Sequence, residues 1–172
     1  MSSLNLKKNI SLKNFSTIRI GGKADYFLSA KDKIQLIKGI KFAQEKKLPF
    51  FILGGGSNIL FSDKRYKGLI IKIENKNYKI KNKTITVGAG MLLSELLRVA
   101  IKENFKGLEW VIGIPGTVGG AIYGNTGAFG WEMKDIVSKV KVLDIKKLKE
   151  KILKNKDCKF SYRSSCFKTK KK

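Results

Sequence analysis

The 172-residue sequence contains no histidine and only two cysteines. Without an imidazole, Ser-His-Asp and Cys-His nucleophilic sites, most zinc sites and facial-triad iron sites are excluded, and we predict no metal site. Cys158 and Cys166 are too far apart for a CxxC motif and too few for a disulfide framework, so reduced thiols and a cytoplasmic location are expected. Neither an apolar signal core nor an apolar run of roughly 18 residues is present, so no membrane association is predicted.

Arginine is scarce as well, with four arginines against 33 lysines. The formal net charge of +24 suggests a partner rich in phosphate. Nucleic-acid readers favour arginine, however, and the lysines are scattered along the whole chain, as AT-rich codon usage would scatter them. A basic nucleic-acid-binding protein is therefore a disfavoured alternative, and no nucleic acid is predicted as a partner.

Three stretches contain neither lysine nor arginine, namely residues 48–63, 84–97 and 107–133. Burial explains part of the first, because LPFFIL suits a buried strand. Burial explains the longest stretch poorly, since seven of the 17 glycines lie within residues 113–130 and glycine adds no apolar area to a core. Glycine at this density indicates that the backbone approaches either another backbone or a ligand closely.

Two glycine-rich loops can each hold part of a ligand. The first, GGGSN at 54–58, follows an apolar strand, so it is either an anion cradle built from backbone amides or a plain turn that ends the strand. It is neither a P-loop nor the dinucleotide fingerprint, because the required lysine and third glycine are missing. The second, GIPGTVGG at 113–120, offers bare backbone to a flat ring. Together they suggest an extended ligand with a phosphate-rich middle and a planar end, such as a dinucleotide.

Alternation of strand and helix patterns predicts an α+β or α/β fold. Short strands are predicted at 17–20 and 26–28, around Gly21-Gly22, followed by a helix capped by Asp32. Further strands are predicted at 50–53, 69–73, 78–80, 84–87 and 136–145, with helices at 92–102 and from Pro115 onward.

Four segments, in the order TIRIGGKADYF, LGGGSNILFSD, GLEWVIGIPGTVGGAIYGNTGAFGWE and CKFSYRSSCFK, resemble the UDP-N-acetylenolpyruvoylglucosamine reductase (MurB) family of flavoenzymes. The resemblance runs from Phe15 to Lys168 and implies the two-lobed FAD-binding fold of the vanillyl-alcohol-oxidase (PCMH) type. The expected organisation is an N-terminal lead segment at 1–15 and an FAD-binding domain at 16–172, with lobes at about 16–73 and 74–172.

The same resemblance implies how FAD is held, and the absence of histidine indicates that it is held without a covalent histidyl bond. The pyrophosphate is expected on Gly54, Gly55, Gly56, Ser57 and Asn58. The flavin is expected along the second loop, with cofactor-binding residues Gly113, Ile114, Pro115, Gly116, Thr117, Gly119 and Gly120, and with Asn125 and Gly127 beyond it. NADPH is implied as the reductant, and UDP-N-acetylglucosamine enolpyruvate as the substrate.

Arg163, in the segment YRSSCFK, matches the catalytic arginine of the family. Its planar, permanent charge suits pairing with the enolpyruvyl carboxylate and stabilising enolate charge. From the residues alone, it is equally well a surface arginine beside an aromatic residue. Phe129 stands where the family commonly has tyrosine, so a hydroxyl near the ligand is missing.

Members of the family continue past this block into a third domain that carries a serine proton donor and a late glutamate. Here the block is followed by a lysine run up to Lys172, which implies a stretch of adenines where polymerases slip. We therefore expect a truncation or frameshift, and FAD binding without appreciable turnover by these 172 residues. The leading hypothesis is a MurB-type reductase, and the main alternative is a flavin-binding remnant.

Overall fold

A computed structural model describes residues 4–169 of the chain, so the lysines at 170–172 lie outside the described residues. The strands are β1 (Lys7–Ser11), β2 (Lys23–Ala30), β3 (Phe50–Leu53), β4 (Tyr66–Ile73), β5 (Tyr78–Lys81), β6 (Thr84–Val87), β7 (Gly127–Ala128), β8 (Trp131–Glu132), β9 (Lys139–Asp144) and β10 (Lys149–Lys154). The α-helices are α1 (Lys33–Glu45), α2 (Leu93–Lys102), α3 (Val118–Gly124), α4 (Met133–Ile136) and α5 (Cys166–Thr169). Among the described residues, no helix is long and apolar enough to cross a membrane.

The first half of the chain forms a four-stranded sheet in the order β1-β2-β4-β3. Strands β2, β3 and β4 are parallel, whereas β1 pairs antiparallel with β2. The middle of β4 is buried on both faces, as the apolar run of a central parallel strand requires. Neighbouring side chains alternate between two cores, so Phe27 and Ile70 lie in one, while Leu28 and Ile71 lie in the other with α1.

A separate core forms in the second half of the chain, around α2 and α3. Helix α2 contributes its apolar face, including Leu93 and Leu97, and α3 contributes Val118 and Ala121. The buried Trp110 belongs to the same core. The chain therefore has one core around the sheet and another around these helices, and the two glycine-rich loops belong to different halves.

The hairpin of β9 and β10 returns to the first half of the chain. Leu143 and Leu148 pack against the core that contains α1, and Lys33 Nζ lies 3.2 Å from Glu150 Oε2. The predicted lobe boundary near residue 73 remains a prediction.

The helix after Asp32, helix α2, strand β3 and the β5–β6 hairpin confirm the corresponding sequence predictions. The Asp32 carboxylate caps α1, because it accepts a hydrogen bond from the Gln35 N–H at 2.8 Å. Strand β1 was not anticipated, and it lies inside the segment predicted as an N-terminal lead.

The strand predicted at 17–20 is wrong. Ser16 Oγ donates to the Ile20 carbonyl at 3.3 Å, and the Thr17 N–H donates to the Gly56 carbonyl at 3.1 Å, so this segment is a turn held against the first loop. The helix predicted from Pro115 begins instead at Val118, because the Gly116 carbonyl accepts the Leu93 N–H at 3.0 Å.

Candidate cofactor-binding site

The first glycine-rich loop, residues 54–58, follows directly from β3 and carries unused donors. Within residues 4–169, none of its backbone N–H groups has a hydrogen-bond acceptor. Gly56 has a φ of 75° and is buried, and a Cβ there would overlap the Phe15 carbonyl oxygen. The glycine therefore lets the backbone around Phe15 pack directly against the loop, and the loop amides have no acceptor in the described residues.

The second loop, residues 113–120, contacts the first loop, as expected for two loops that hold one ligand. Ser57 Oγ donates to the Pro115 carbonyl at 3.2 Å. A Cβ at Gly55 would lie 3.1 Å from Gly116 Cα, and one at Gly54 would lie 2.7 Å from Thr117 Oγ1. The hydroxyl of Ser57 thus joins the loops, rather than being left free for a ligand.

The two ends of the second loop differ in what they offer a ligand. The N–H groups at the start of α3 are already used: Val118 donates to Met91 O and Gly119 to Ala89 O, both at 2.9 Å, and Gly120 to Thr117 Oγ1 at 3.4 Å.

The start of the loop is open instead. Gly113 and Gly116 donate to no acceptor in the part of the chain that the structure describes, and a Cβ at Gly113 would meet nothing within 4 Å. The adjacent side chain of Ile112 is 70% exposed. The backbone available to a ligand is therefore at 113–116.

A cavity of about 330 Å³ opens beside the first loop, and the sequence analysis missed it. It is lined by Asn14, Phe15, Ser16, Thr17, Arg19, Gly55 and Lys72. Arg19 makes no ion pair with any carboxylate in residues 4–169, and Lys72 Nζ lies 3.1 Å from Glu74 Oε1. The rarity of arginine, which singled out Arg163, could also have singled out Arg19.

Asn125 and Gly127 lie beyond α3, and both make contacts within the chain. Asn125 is fully buried, and its side-chain amide is hydrogen-bonded on both its nitrogen and its oxygen. Gly127 lies in β7, where a Cβ would come 2.5 Å from the Trp131 carbonyl oxygen of β8. Contact of these two residues with a cofactor stays a prediction.

Arg163 lies at the tip of a tight turn in which Ser161 and Ser164 exchange backbone hydrogen bonds of 3.1 and 3.0 Å. Its φ is 51°, its side chain is exposed, and the guanidinium lies 6.0 Å from the Tyr162 ring centroid. Glu132 lies close enough for the charge of Arg163 to lower the pKa of its carboxyl.

Hydrogen bonds from Lys134 and Asn125 hold the pKa of the Glu132 carboxyl below its usual range, and the positive charge of Arg163 lowers it further. Lys134 Nζ is 2.7 Å from Glu132 Oε2. The structure thus brings Arg163 next to a network at the end of α3, and not into the first loop.

Comparison with known proteins decides the family. A family model described as an FAD binding domain matches residues 24–147. The chain belongs to the FAD-binding domain family. The resemblance found in its sequence motifs is confirmed by relatives named UDP-N-acetylenolpyruvoylglucosamine reductase: that of Caldicellulosiruptor bescii is 40% identical over 99% of this chain, and that of Clostridioides difficile 37% identical over 96%. This FAD-binding domain spans 54% and 55% of the length of those relatives.

Solved structures confirm the predicted fold class. The MurB crystal structure from Thermus caldophilus matches 95% of this chain and 57% of its own, with a TM-score of 0.80 and 28% identity. 6-Hydroxy-D-nicotine oxidase from Arthrobacter nicotinovorans matches 90% of this chain and 37% of its own, with a TM-score of 0.67. At 12% identity, the second match concerns the fold alone.

The residues of this FAD-binding domain fit a flavin dinucleotide. The unused amides of the first loop suit the anionic pyrophosphate, and Arg19 and Lys72 place two cations beside them. The open backbone at Gly113 and the exposed Ile112 suit a flat ring with apolar faces.

Proposed function

We propose that this FAD-binding domain holds FAD without a covalent bond, with the pyrophosphate on residues 54–58 and the flavin along residues 113–117. The observation that carries the proposal is the run of first-loop amides that have no acceptor within residues 4–169, next to a cavity lined by Arg19, which makes no ion pair within the same residues. Phosphate oxygens accept hydrogen bonds from such amides, and cations at the rim offset the negative charge. The hydrogen bond from Ser57 to Pro115 keeps the two halves of the site in one arrangement.

We propose further that the domain takes part in the reduction of UDP-N-acetylglucosamine enolpyruvate by NADPH in the cytoplasm. The names of its relatives support this activity, although the domain spans only about half of their length. When bound, FAD would supply the hydride transfer from NADPH to the enolpyruvyl double bond.

Arg163 is the residue proposed to act on the substrate. An exposed guanidinium at the tip of a turn can reach a ligand and pair with its carboxylate through two parallel hydrogen bonds. The same donors stabilise the negative charge that develops on that group as the double bond is reduced. Arg163 thereby binds and orients the substrate carboxylate and stabilises the developing negative charge, and it transfers no proton.

The second candidate function is FAD binding without turnover. Reduction of the double bond also requires an acid that protonates carbon. Near Arg163, the Ser165 hydroxyl donates to the Tyr123 carbonyl at 2.7 Å and is buried, and the Cys166 thiol is buried too. These arrangements favour the second candidate, because neither group is free to reach a substrate.

Reconstitution with FAD followed by a turnover assay separates the candidates. We expect the purified protein to take up FAD and to release the yellow colour into the supernatant on acid precipitation. NADPH oxidation that depends on the UDP-enolpyruvyl sugar would support the reductase, and its absence from FAD-loaded protein would support binding alone. Colour retained in the pellet would overturn the non-covalent site, and failure to take up flavin would overturn both candidates.

A further inference from the structure

One buried polar residue, Asn125, lies between the second loop and the Arg163 turn. It caps the carboxyl end of α3 in the left-handed region, with a φ of 46°, and its exposed fraction is 0%. A buried amide must be hydrogen-bonded, and a non-glycine residue in this conformation needs its surroundings to hold it there.

The Asn125 side chain meets both needs with partners from two other segments. Its Nδ2 donates to Glu132 Oε2 and to the Ser161 carbonyl, both at 2.9 Å. Its Oδ1 accepts the Lys134 N–H at 3.0 Å. Both amide protons are used in this way. A single side chain therefore joins the end of α3, the start of α4 and the first residue of the Arg163 turn.

The other end of the turn is fastened to the same helix. Ser165 Oγ donates to the carbonyl of Tyr123, in the last turn of α3, at 2.7 Å. At its beginning, α3 is capped by Thr117, whose Oγ1 is the group closest to a Cβ placed on Gly54. One short helix thus connects the meeting point of the two loops with both sides of the Arg163 turn.

We propose that Asn125 is a positioning residue that fixes the Arg163 turn relative to the cofactor loops, so that FAD binding and the arrangement of Arg163 are coupled through α3. The coupling part of this proposal rests on the proposed FAD site. In this role Asn125 acts through its hydrogen bonds to Ser161 and Glu132.

The sequence contains four arginines, Arg19, Arg65, Arg98 and Arg163. An arginine-specific protease therefore cleaves at four sites, and the rate at each site can be measured separately. Asn125→Gly keeps the left-handed backbone and removes the amide. We expect cleavage after Arg163 to become at least about tenfold faster, because the turn loses the hydrogen bond to Ser161, and the amide that holds it loses its bonds to Glu132 and Lys134. Cleavage after the other three arginines should be unchanged.

The matched control is Asn104→Gly. Asn104 also follows a helix in the left-handed region, with a φ of 56°, but it is exposed and its side chain makes no hydrogen bond within residues 4–169. The Asn104→Gly variant should leave all four cleavage rates at wild-type values.

A second, milder variant is Asn125→Asp, which keeps the shape of the side chain and its acceptor oxygen but replaces the amide donor that faces Glu132 and Ser161. It should accelerate cleavage after Arg163 as Asn125→Gly does.

FAD supplies the test of coupling. We expect FAD, at concentrations that saturate both proteins, to slow cleavage after Arg163 in the wild type but not in Asn125→Gly. The proposal is overturned if both Asn125 variants are cleaved after Arg163 at the wild-type rate, or if they expose all four arginines equally. It is also overturned if FAD binds the wild type without protecting Arg163. If the wild type binds no FAD, the FAD site and the coupling fail together, while the cleavage rates without FAD still decide whether Asn125 fixes the turn.

Discussion

Arg163 adopts a backbone conformation that costs free energy for any residue with a Cβ. Its φ of 51° lies in the left-handed region, where a non-glycine residue is less stable by about 1–2 kcal/mol. Strain of this kind persists only where the surrounding structure holds it in place. Within the described residues the guanidinium makes no ion pair of 4.0 Å or less, and its contacts are the exposed Tyr162 ring and a longer-range attraction to Glu132, so the side chain adds little to the stability of the turn.

This argument predicts that Arg163→Gly does not destabilise the protein. We expect the free energy of unfolding to be unchanged or raised by up to about 1 kcal/mol, because glycine adopts this φ without steric cost, offset in part by its greater freedom in the unfolded chain. The Lys168 Nζ hydrogen bond of 2.9 Å is made to the Arg163 carbonyl and is retained. Urea denaturation measures the change. A clear loss of stability would mean that the guanidinium supports the fold.

A conservative change at the same position tests the charge-stabilising role. Arg163→Lys keeps the charge but loses the planar pair of donors, so we expect FAD affinity and flavin reduction by NADPH to be nearly unchanged. Transfer to the UDP-enolpyruvyl sugar should slow by about 2–4 kcal/mol in activation free energy, in a protein that turns over. Stopped-flow measurement of the two half-reactions separates them. Arg98→Lys, on α2, is the control, and equal losses in both half-reactions would place Arg163 at the flavin.

At the scale of elements, the glycines of the two loops fall into two groups. Gly56 and Gly119 are needed by the chain itself, because a Cβ would meet the Phe15 carbonyl at one and lie 2.8 Å from Ala89 Cβ at the other. Gly113 meets nothing within 4 Å, so no contact within the described residues requires a glycine there. The open space at Gly113 is where the proposed flavin would pass.

We therefore predict that Gly113→Ala weakens FAD binding, whereas Gly107→Ala does not. Both glycines have a positive φ, 75° and 93°, and neither Cβ would meet a neighbour within 4 Å. Both variants should thus lose similar stability, about 1 kcal/mol, from backbone strain. The difference between their FAD dissociation constants, measured by flavin fluorescence, isolates the ligand contact. Equal affinities would show that the flavin does not pass Gly113.

The elements also show what the sequence can predict and what it cannot. Helix α1 and strand β3 were predictable, because a local apolar period and a capping Asp32 specify them. Strand β1 was not, since KKNIS has little apolar pattern and its residues pair with residues 12 to 20 positions further along the chain, in β2. The glycine-rich motifs predicted that the two loops share a ligand, which stays a prediction, but they could not indicate that the Asn125 side chain bonds to Ser161.

At the scale of the whole molecule, the proposed FAD site joins two cores, one around the sheet and one around α2 and α3. The first loop extends from the sheet and the second from the helical core, and hydrogen bonds such as that between Ser57 and Pro115 connect them. A dinucleotide that contacts both loops would add a further connection between the halves. FAD binding should therefore stabilise the whole protein and not one half of it.

The net charge of +24 leads to a last prediction, in which salt acts oppositely on folding and on binding. Raising NaCl from about 0.01 M to about 0.1 M shortens the screening length from about 30 Å to about 10 Å. Repulsion among the lysines then weakens, so the Tm of the FAD-free protein should rise. Attraction between the FAD phosphates and Arg19 weakens as well, so the dissociation constant for FAD should increase.

Arg19→Met should flatten the salt dependence of FAD binding, while Lys102→Met, an equal loss of charge at an exposed position on α2, should leave it steep. Thermal melts and flavin titrations over the same salt series measure both effects. A Tm that falls as salt is added would contradict the role of self-repulsion. An FAD dissociation constant that does not change with salt would show that Arg19 does not bind the FAD phosphates.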